Sequence, residues 1–461
     1  MAQASSTLFN NDALQRSTIA REAPDRAAKI CFVFLWLLTF VIYARPEDMF
    51  PALESLHLTL FFAVCTALTC LGTLLLGHAR VLWYSEFKII LLLTGWYIAG
   101  VPFSFWKSGS VQMLTDVWLK TVLVIFLLTQ SLTSLDRIRK LLWAIFLSEL
   151  IVTAFSIFLP SKSMWVGERI YGVSLGILGW NFVGIAAAMT IPYMAALFVV
   201  RRSVLSTILL VATGLALMWM LMLTASRGGF LTVVFSAILS CALVLRGSPR
   251  GRIAGVAIAI VLLACIALAP AVFWERMGTV WEGAAANQNQ LSSGIEQQAA
   301  KESKEERLEL LSRSINYTLE HPLFGLGLGN FEQASGVQFT QSDAWRGTHN
   351  TYTQISAEAG VPALGLFVSL LIVTVRNMWR ISRSLRDYQG SELNLMSRAT
   401  LAAVLGFVFG AWFVHIAYGY YFFYMVAIGC GLQHIARSSE TQSAGSSRSS
   451  QLRLSAHNWL Q

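Results

Sequence analysis

Apolar runs of about twenty residues follow one another along most of the chain, separated by short polar stretches. A helix rising about 1.5 Å per residue needs a run of that length to cross about 30 Å of hydrocarbon, and only a helix satisfies its own backbone there. The pattern predicts an all-α fold, a polytopic membrane helix bundle of about twelve transmembrane helices. The spans read as Lys29 to Ala44, His57 to Leu76, Phe87 to Phe105, Val111 to Leu132, Leu141 to Pro160, Phe182 to Val200, Val204 to Leu223, Gly229 to Leu245, Ile253 to Trp274, Ile355 to Val375, Ala399 to Ala417 and Tyr420 to Ala436.

The pattern divides the chain into a polar tail (1–28), spans one to nine (29–274), a large loop (275–350), spans ten to twelve (351–436) and a Ser-rich tail read as disordered (437–461). A connection as long as 275–350 is more than a link in a compact protein. Within it a helix is predicted from about Ile295 to Glu320, ended by Pro322. Leu308, Leu311, Ile315 and Leu319 fall on one face of it, a stripe that packs on the bundle or the membrane surface. At 100° per residue Arg307 edges that stripe, whereas Arg313 falls opposite it and pairs with Glu309 on an exposed face. The glycines of LFGLGLGNF follow no strand and precede no ribose-binding acid, so they read as tight turning or close approach rather than nucleotide binding.

Composition agrees with the pattern: 55% of the 461 residues are hydrophobic and 13% charged, with mean hydropathy +0.59. If the N-terminus is inside, most of the 34 Lys and Arg fall in inner segments, including Arg16, Arg21, Arg137, Arg139, Lys140, Arg246, Arg250, Arg376 and Arg437. The positive-inside rule thus places both termini in the cytoplasm. The net charge of +9 is explained by this asymmetry and calls for no nucleic acid. The six cysteines lie in predicted spans, without a disulfide framework or zinc spacing. The first span follows a long polar tail with no cleavage site and reads as a retained anchor.

Candidate chemistry gathers on the outer face. Arg227, in LTASRGGF, lies in a tight turn between spans seven and eight, where it either snorkels at the interface or faces a ligand. Arg307 is on the loop helix. His349, Thr353, Ser356 and Gly360 form a polar or small stripe where the tenth span begins, with Thr348 as candidate cap. Glu358 lies 180° from His349 and serves the helix or a neighbouring span. Asp116 and Lys120 stand one turn apart as a neutralising pair, Lys120 also being a candidate ligand contact; Glu149 has no partner assignable from sequence.

TASRGGF at a span end, ERLELLSRSINYTLEHPLFGLGLGNF in the large loop and THNTYTQISAEAGVPALGLF entering the next span together resemble the bacterial O-antigen ligase and polymerase superfamily. ERIYGVSLGILGWN resembles its earlier outer loop, with Arg169 in place, and RPEDMFPAL resembles members tied to exopolysaccharide or O-glycosylation. The resemblance implies a glycosyltransferase of the bacterial inner membrane. It would take a glycan from a polyprenyl (undecaprenyl) pyrophosphate carrier and join it, at the periplasmic face, to a hydroxyl of another glycan, a lipid A core or a protein. Its implied site has His349 as catalytic base, Arg227 and Arg307 on the pyrophosphate, Arg169 as a further phosphate or sugar contact and Asn350 either orienting substrate or holding the loop, with no metal and no cofactor; Lys120 joins these as a possible substrate contact on its position alone. Trp165, Tyr171 and Trp345 either stack on sugars or anchor at the interface. Two rival readings are a transporter or flippase for a lipid-linked glycan, and a scaffold whose loop docks a partner.

Overall fold

A computed structural model describes residues 26–76, 81–159, 164–166, 169–172, 180–200, 203–246, 248–271, 273–274, 277, 291–339, 346–386 and 391–458. Among these, eleven helices are long and apolar enough to cross a membrane. They are α1 (Arg26–Ala44), α2 (Pro51–Leu75), α3 (Ser85–Phe103), α4 (Lys107–Ser131), α5 (Leu135–Phe158), α6 (Phe182–Val200), α7 (Val204–Thr224), α8 (Arg227–Leu245), α9 (Pro249–Ala267), then, after the loop, α12 (Thr351–Ser384) and α13 (Glu392–Gly410). The loop itself supplies α10 (Leu291–Glu320) and α11 (Phe331–Phe339). A short antiparallel pair, β1 (Met164–Val166) with β2 (Arg169–Gly172), precedes α6.

The twelfth expected span, Tyr420 to Ala436, opens α14 (Tyr420–Asn458) and is absent from the eleven for a physical reason. Its first turns carry tyrosines and Gln433, yet Tyr421, Phe422, Phe423, Tyr424 and Leu432 are all buried against other helices. A helix enclosed by protein need not be as apolar as one facing lipid. Beyond Ala436 the helix continues to Asn458, uninterrupted by proline, through the Ser-rich stretch that composition marked as unstructured.

Around α14 the tightest packing joins α13 to α6, α8 to α6, and α12 to both α13 and α3. Gly184 of α6 meets Gly229 of α8 so closely that a Cβ on Gly184 would lie 2.2 Å from the Gly229 Cα. This contact presses the first turn of α8 against the bundle.

The tenth span is two helices meeting at a break. Gly360 has φ 81° and ψ 173°, and Pro362 follows without an N–H to offer Glu358. Three carbonyls at the break are met from elsewhere. The Leu326 and Gly327 N–H groups donate to the carbonyls of Ala357 and Glu358, both at 2.8 Å, and the Trp96 indole donates to Ala359 at 3.0 Å. Val361 donates in turn to Pro322 at 2.8 Å. The run LFGLGLGNF is therefore laid along a broken membrane helix, which is the close approach its glycines permit. Gly325, Gly327 and Gly329 have φ of 64°, 97° and 68°, and a Cβ on Gly325 would come within 2.6 Å of the Ala357 carbonyl oxygen. Phe324 stacks between Trp96 and Phe103, and Phe105 N–H donates to Leu326 at 2.7 Å, so α3 holds the same loop from its other side.

A Cβ at position 360 would sit 2.0 Å from the Leu323 oxygen. Gly360→Ala is expected to cost about 1–3 kcal/mol from backbone strain alone, and more from the clash. Gly365, on the same helix with open space around it, should gain up to about 1 kcal/mol on changing to alanine. Melting of the two variants in detergent checks this, since equal shifts would contradict the break's role.

Candidate active site

Arg227 is the first residue of α8, placed there by a two-residue turn. Ala225 takes φ 48°, and Ser226 caps the helix by accepting the Gly229 N–H at 3.1 Å. Arg307 lies on α10. His349 lies two residues before α12 with φ 52°, a conformation that few non-glycine residues adopt. These three reach one cavity of about 370 Å³, lined also by Gly228, Leu231, Leu308, Leu311, Thr348, Asn350, Trp412 and Phe413. Three segments far apart in sequence thus set two guanidinium-bearing side chains and an imidazole around one space.

The cap of α12 is Asn350 rather than Thr348. The Asn350 Oδ1 accepts from the N–H groups of Tyr352 and Thr353, at 2.9 and 3.2 Å, while the Thr348 hydroxyl donates to the Asn350 carbonyl at 2.9 Å. This bracket fixes the unusual backbone of the residue between them. Arg346 forms an ion pair with Glu306, the neighbour of Arg307, and so ties the His349 segment to α10. From the expected polar stripe, Ser356 shares a hydrogen bond with Thr318 of α10 at 2.9 Å.

The face of α10 that packs differs from the expected one. Leu310, Ser314 and Tyr317 are buried, whereas Leu308, Ile315 and Leu319 are 57%, 45% and 73% exposed. Arg313, assigned to solvent from sequence, is 9% exposed. Its guanidinium lies 3.7 Å over the Phe339 ring, donates to Ser335 at 3.0 Å and pairs with Glu309. The i,i+4 pair is present as expected, but α11 covers its Arg313 end while the Glu309 side chain stays 59% exposed, and helical periodicity within α10 carries no trace of a second helix folding over it.

Glu358 is not among the cavity's lining residues, although His349, which lies outside α12, gives no helical angle from which its 180° offset could be measured. Buried, Glu358 accepts from the Tyr418 hydroxyl at 2.7 Å and the Phe331 N–H at 3.3 Å, joining the start of α11 to the segment before α14. Lys120 is not among the cavity's lining residues. It stays with Asp116 at 3.5 Å on an outward face, its side chain 68% exposed, so the geometry does not bring it to the other candidates. Arg169 is in β2; its side chain, those of Trp165 and Tyr171, and all of Trp345 lie outside the described residues. Glu149 is buried in α5, and among the described residues neither carboxylate oxygen has a hydrogen-bond partner.

Sequence reasoning missed the segment 411–419. The eleventh span was expected to run to Ala417, but α13 ends at Gly410, and Trp412, Phe413 and His415 turn towards the site. A histidine ahead of GYY in an otherwise apolar run was the available signal. The rings of His349 and His415 meet edge to face, with centroids 5.1 Å apart. Burial, His415, Arg307 and Arg346 together pull the His349 imidazole down to about 3, and burial pulls His415 down to about 4. Both rings are neutral at physiological pH.

Asn350→Ala should cost about 1 kcal/mol of stability as a lost cap and release His349 from its bracket, while Asn350→Ser retains most of both. Thermal melts of the two variants, read beside their activity, check this.

A family model described as O-antigen ligase matches residues 211–368. The match runs from α7 into α12 and contains Arg227, Arg307, His349 and Asn350, but neither Lys120 nor Arg169. No curated protein matches the chain. Residues 211–368 thus carry an O-antigen ligase domain within a helical membrane bundle, a match that supports the O-antigen ligase and polymerase superfamily.

Proposed function

We propose that this chain transfers a glycan from a polyprenyl pyrophosphate carrier to an acceptor hydroxyl at the periplasmic face of the bacterial inner membrane. The observation that carries the reading is the convergence of Arg227, Arg307 and His349 on one cavity from α8, α10 and the start of α12. In this reaction the acceptor oxygen bonds to the anomeric carbon as the bond from that carbon to the pyrophosphate oxygen breaks. Negative charge grows on the departing polyprenyl pyrophosphate. Two guanidiniums answer it with forked, charge-assisted hydrogen bonds. The acceptor's proton passes to His349, and the resulting imidazolium later yields it to water.

His349 is neutral, the form that accepts a proton, but at about 3 it is a weak base. A bound pyrophosphate offsets the charges of Arg307 and Arg346, which help to lower it, and strengthens the base only when donor is present. Asn350 acts by positioning His349, and the exposed Trp412 at the cavity edge supplies a face for a sugar ring. The basic inner segments orient both termini to the cytoplasm.

The test is transfer by the purified chain in liposomes supplied with a polyprenyl-pyrophosphate glycan. His349→Ala should lower kcat by about 10²–10⁴-fold, and each of Arg227→Ala and Arg307→Ala by about 10²–10³-fold. Transfer surviving all three changes at normal protein levels would refute the mechanism. Movement of labelled donor across the vesicle without a new linkage would mark a transporter. A ladder of product masses marks polymerisation, and a single conjugate marks ligation.

The pH profile follows from the lowered imidazole. A lowered value keeps the base form to lower pH, so the acid limb of kcat/KM should fall well below the ordinary histidine value of about 6.5. An acid limb at that value would show a solvated histidine instead.

A further inference from the structure

We infer that His415 is a positioning residue for His349, setting the ring of the proposed base and shielding it from water; this rests on the glycosyl-transfer reading above. The segment bearing His415 is pinned to the first turn of α12 on both sides. Thr351 donates its hydroxyl to the Val414 carbonyl at 2.6 Å and accepts the Ile416 N–H at 3.3 Å, while the Gln354 side chain accepts the Ala417 N–H at 3.1 Å. Thr351 N–H also donates to Ala411 at 2.8 Å. With its neighbours fixed this way, the His415 side chain is delivered to the edge of the His349 ring.

Gly347 is where this delivery is paid for in sequence. A Cβ there would lie 2.5 Å from the His415 Nε2, so only glycine lets the chain pass while the two rings touch. Trp412 and Phe413 line the cavity and His415 does not, which places it behind His349 rather than against substrate. Its Nδ1 is buried without a hydrogen-bond partner among the described residues. The charged and titratable groups around His349 are His415 from the 411–419 segment, Arg307 from α10 and Arg346 from its own strand of chain, with Arg227 on the cavity wall from α8. Of these His415 is the one that is neutral at physiological pH and adds bulk there, while in acid its own charge also opposes protonation of His349, so its loss admits water and removes that repulsion but leaves the arginines in place.

The experiment compares His415→Ala, His415→Phe and Gly347→Ala in the liposome assay, with melting in detergent as the folding control. His415→Ala should lower kcat about 10- to 100-fold, as a misplaced reacting group does, with little change in KM for donor. It should also move the acid limb of kcat/KM up towards about 6.5, because a hydrated His349 regains its ordinary affinity for protons. His415→Phe should restore kcat and bring the acid limb most of the way back, since a ring of similar size again excludes water. A folded His415→Ala protein with unchanged kcat and acid limb overturns the inference, as does a Phe variant no better than Ala. If His415→Ala does not fold, Gly347→Ala decides: a lowered kcat with a raised acid limb supports the role, and wild-type behaviour overturns it. Arg307→Ala and His349→Ala run alongside separate the two failures. If they abolish transfer while the His415 and Gly347 variants do not, only this inference falls; if they transfer normally, the glycosyl-transfer reading falls.

Discussion

The structure depends on how a membrane helix can be broken without leaving its carbonyls bare. At Gly360–Pro362 the tenth span gives up hydrogen bonds that lipid cannot replace, so protein must supply them. The glycine-rich run after Pro322 and the Trp96 indole do so. That requirement draws the large loop down onto the bundle. Once residues 322–330 are fixed, α10 before them and α11 after them have little freedom, and Arg307 is carried to the cavity as a result. A loop tethered only at its ends would have no such reason to hold a side chain in place.

Much of the fold was legible because the bilayer imposes a simple period. Ten of the eleven apolar helices need nothing beyond run length, whereas the turn before α8 is made by Ala225 and Ser226, and the two glycines expected to permit it lie inside the helix, where Gly229 meets Gly184. The exceptions share a cause. Tyr420 to Ala436 is less apolar because protein surrounds it, Arg313 is buried because α11 folds across it, and α13 stops at Gly410 because the following residues are needed against α12. In each case a contact with a distant segment overrides the local pattern, and no property of one helix read alone contains that contact.

The candidate site was legible for a related reason. Cations and a histidine at the outer ends of apolar spans stand out against their surroundings, and topology alone brings such ends to one face of a bundle. Whether they share a cavity depends on three-dimensional packing, which admits Arg227, Arg307 and His349 and leaves Lys120 with Asp116. His415 escaped notice because it sat inside a run that appeared to be membrane.

Glu306 and Arg307 are neighbours on α10 with divided tasks: one reaches Arg346 beside the histidine, the other lines the cavity. Adjacent helical residues point about 100° apart, so a small roll of α10 about its axis disturbs both together. The ion pair therefore works as an angular gauge, and the aim of the cavity's guanidinium is read out at the very segment that carries His349.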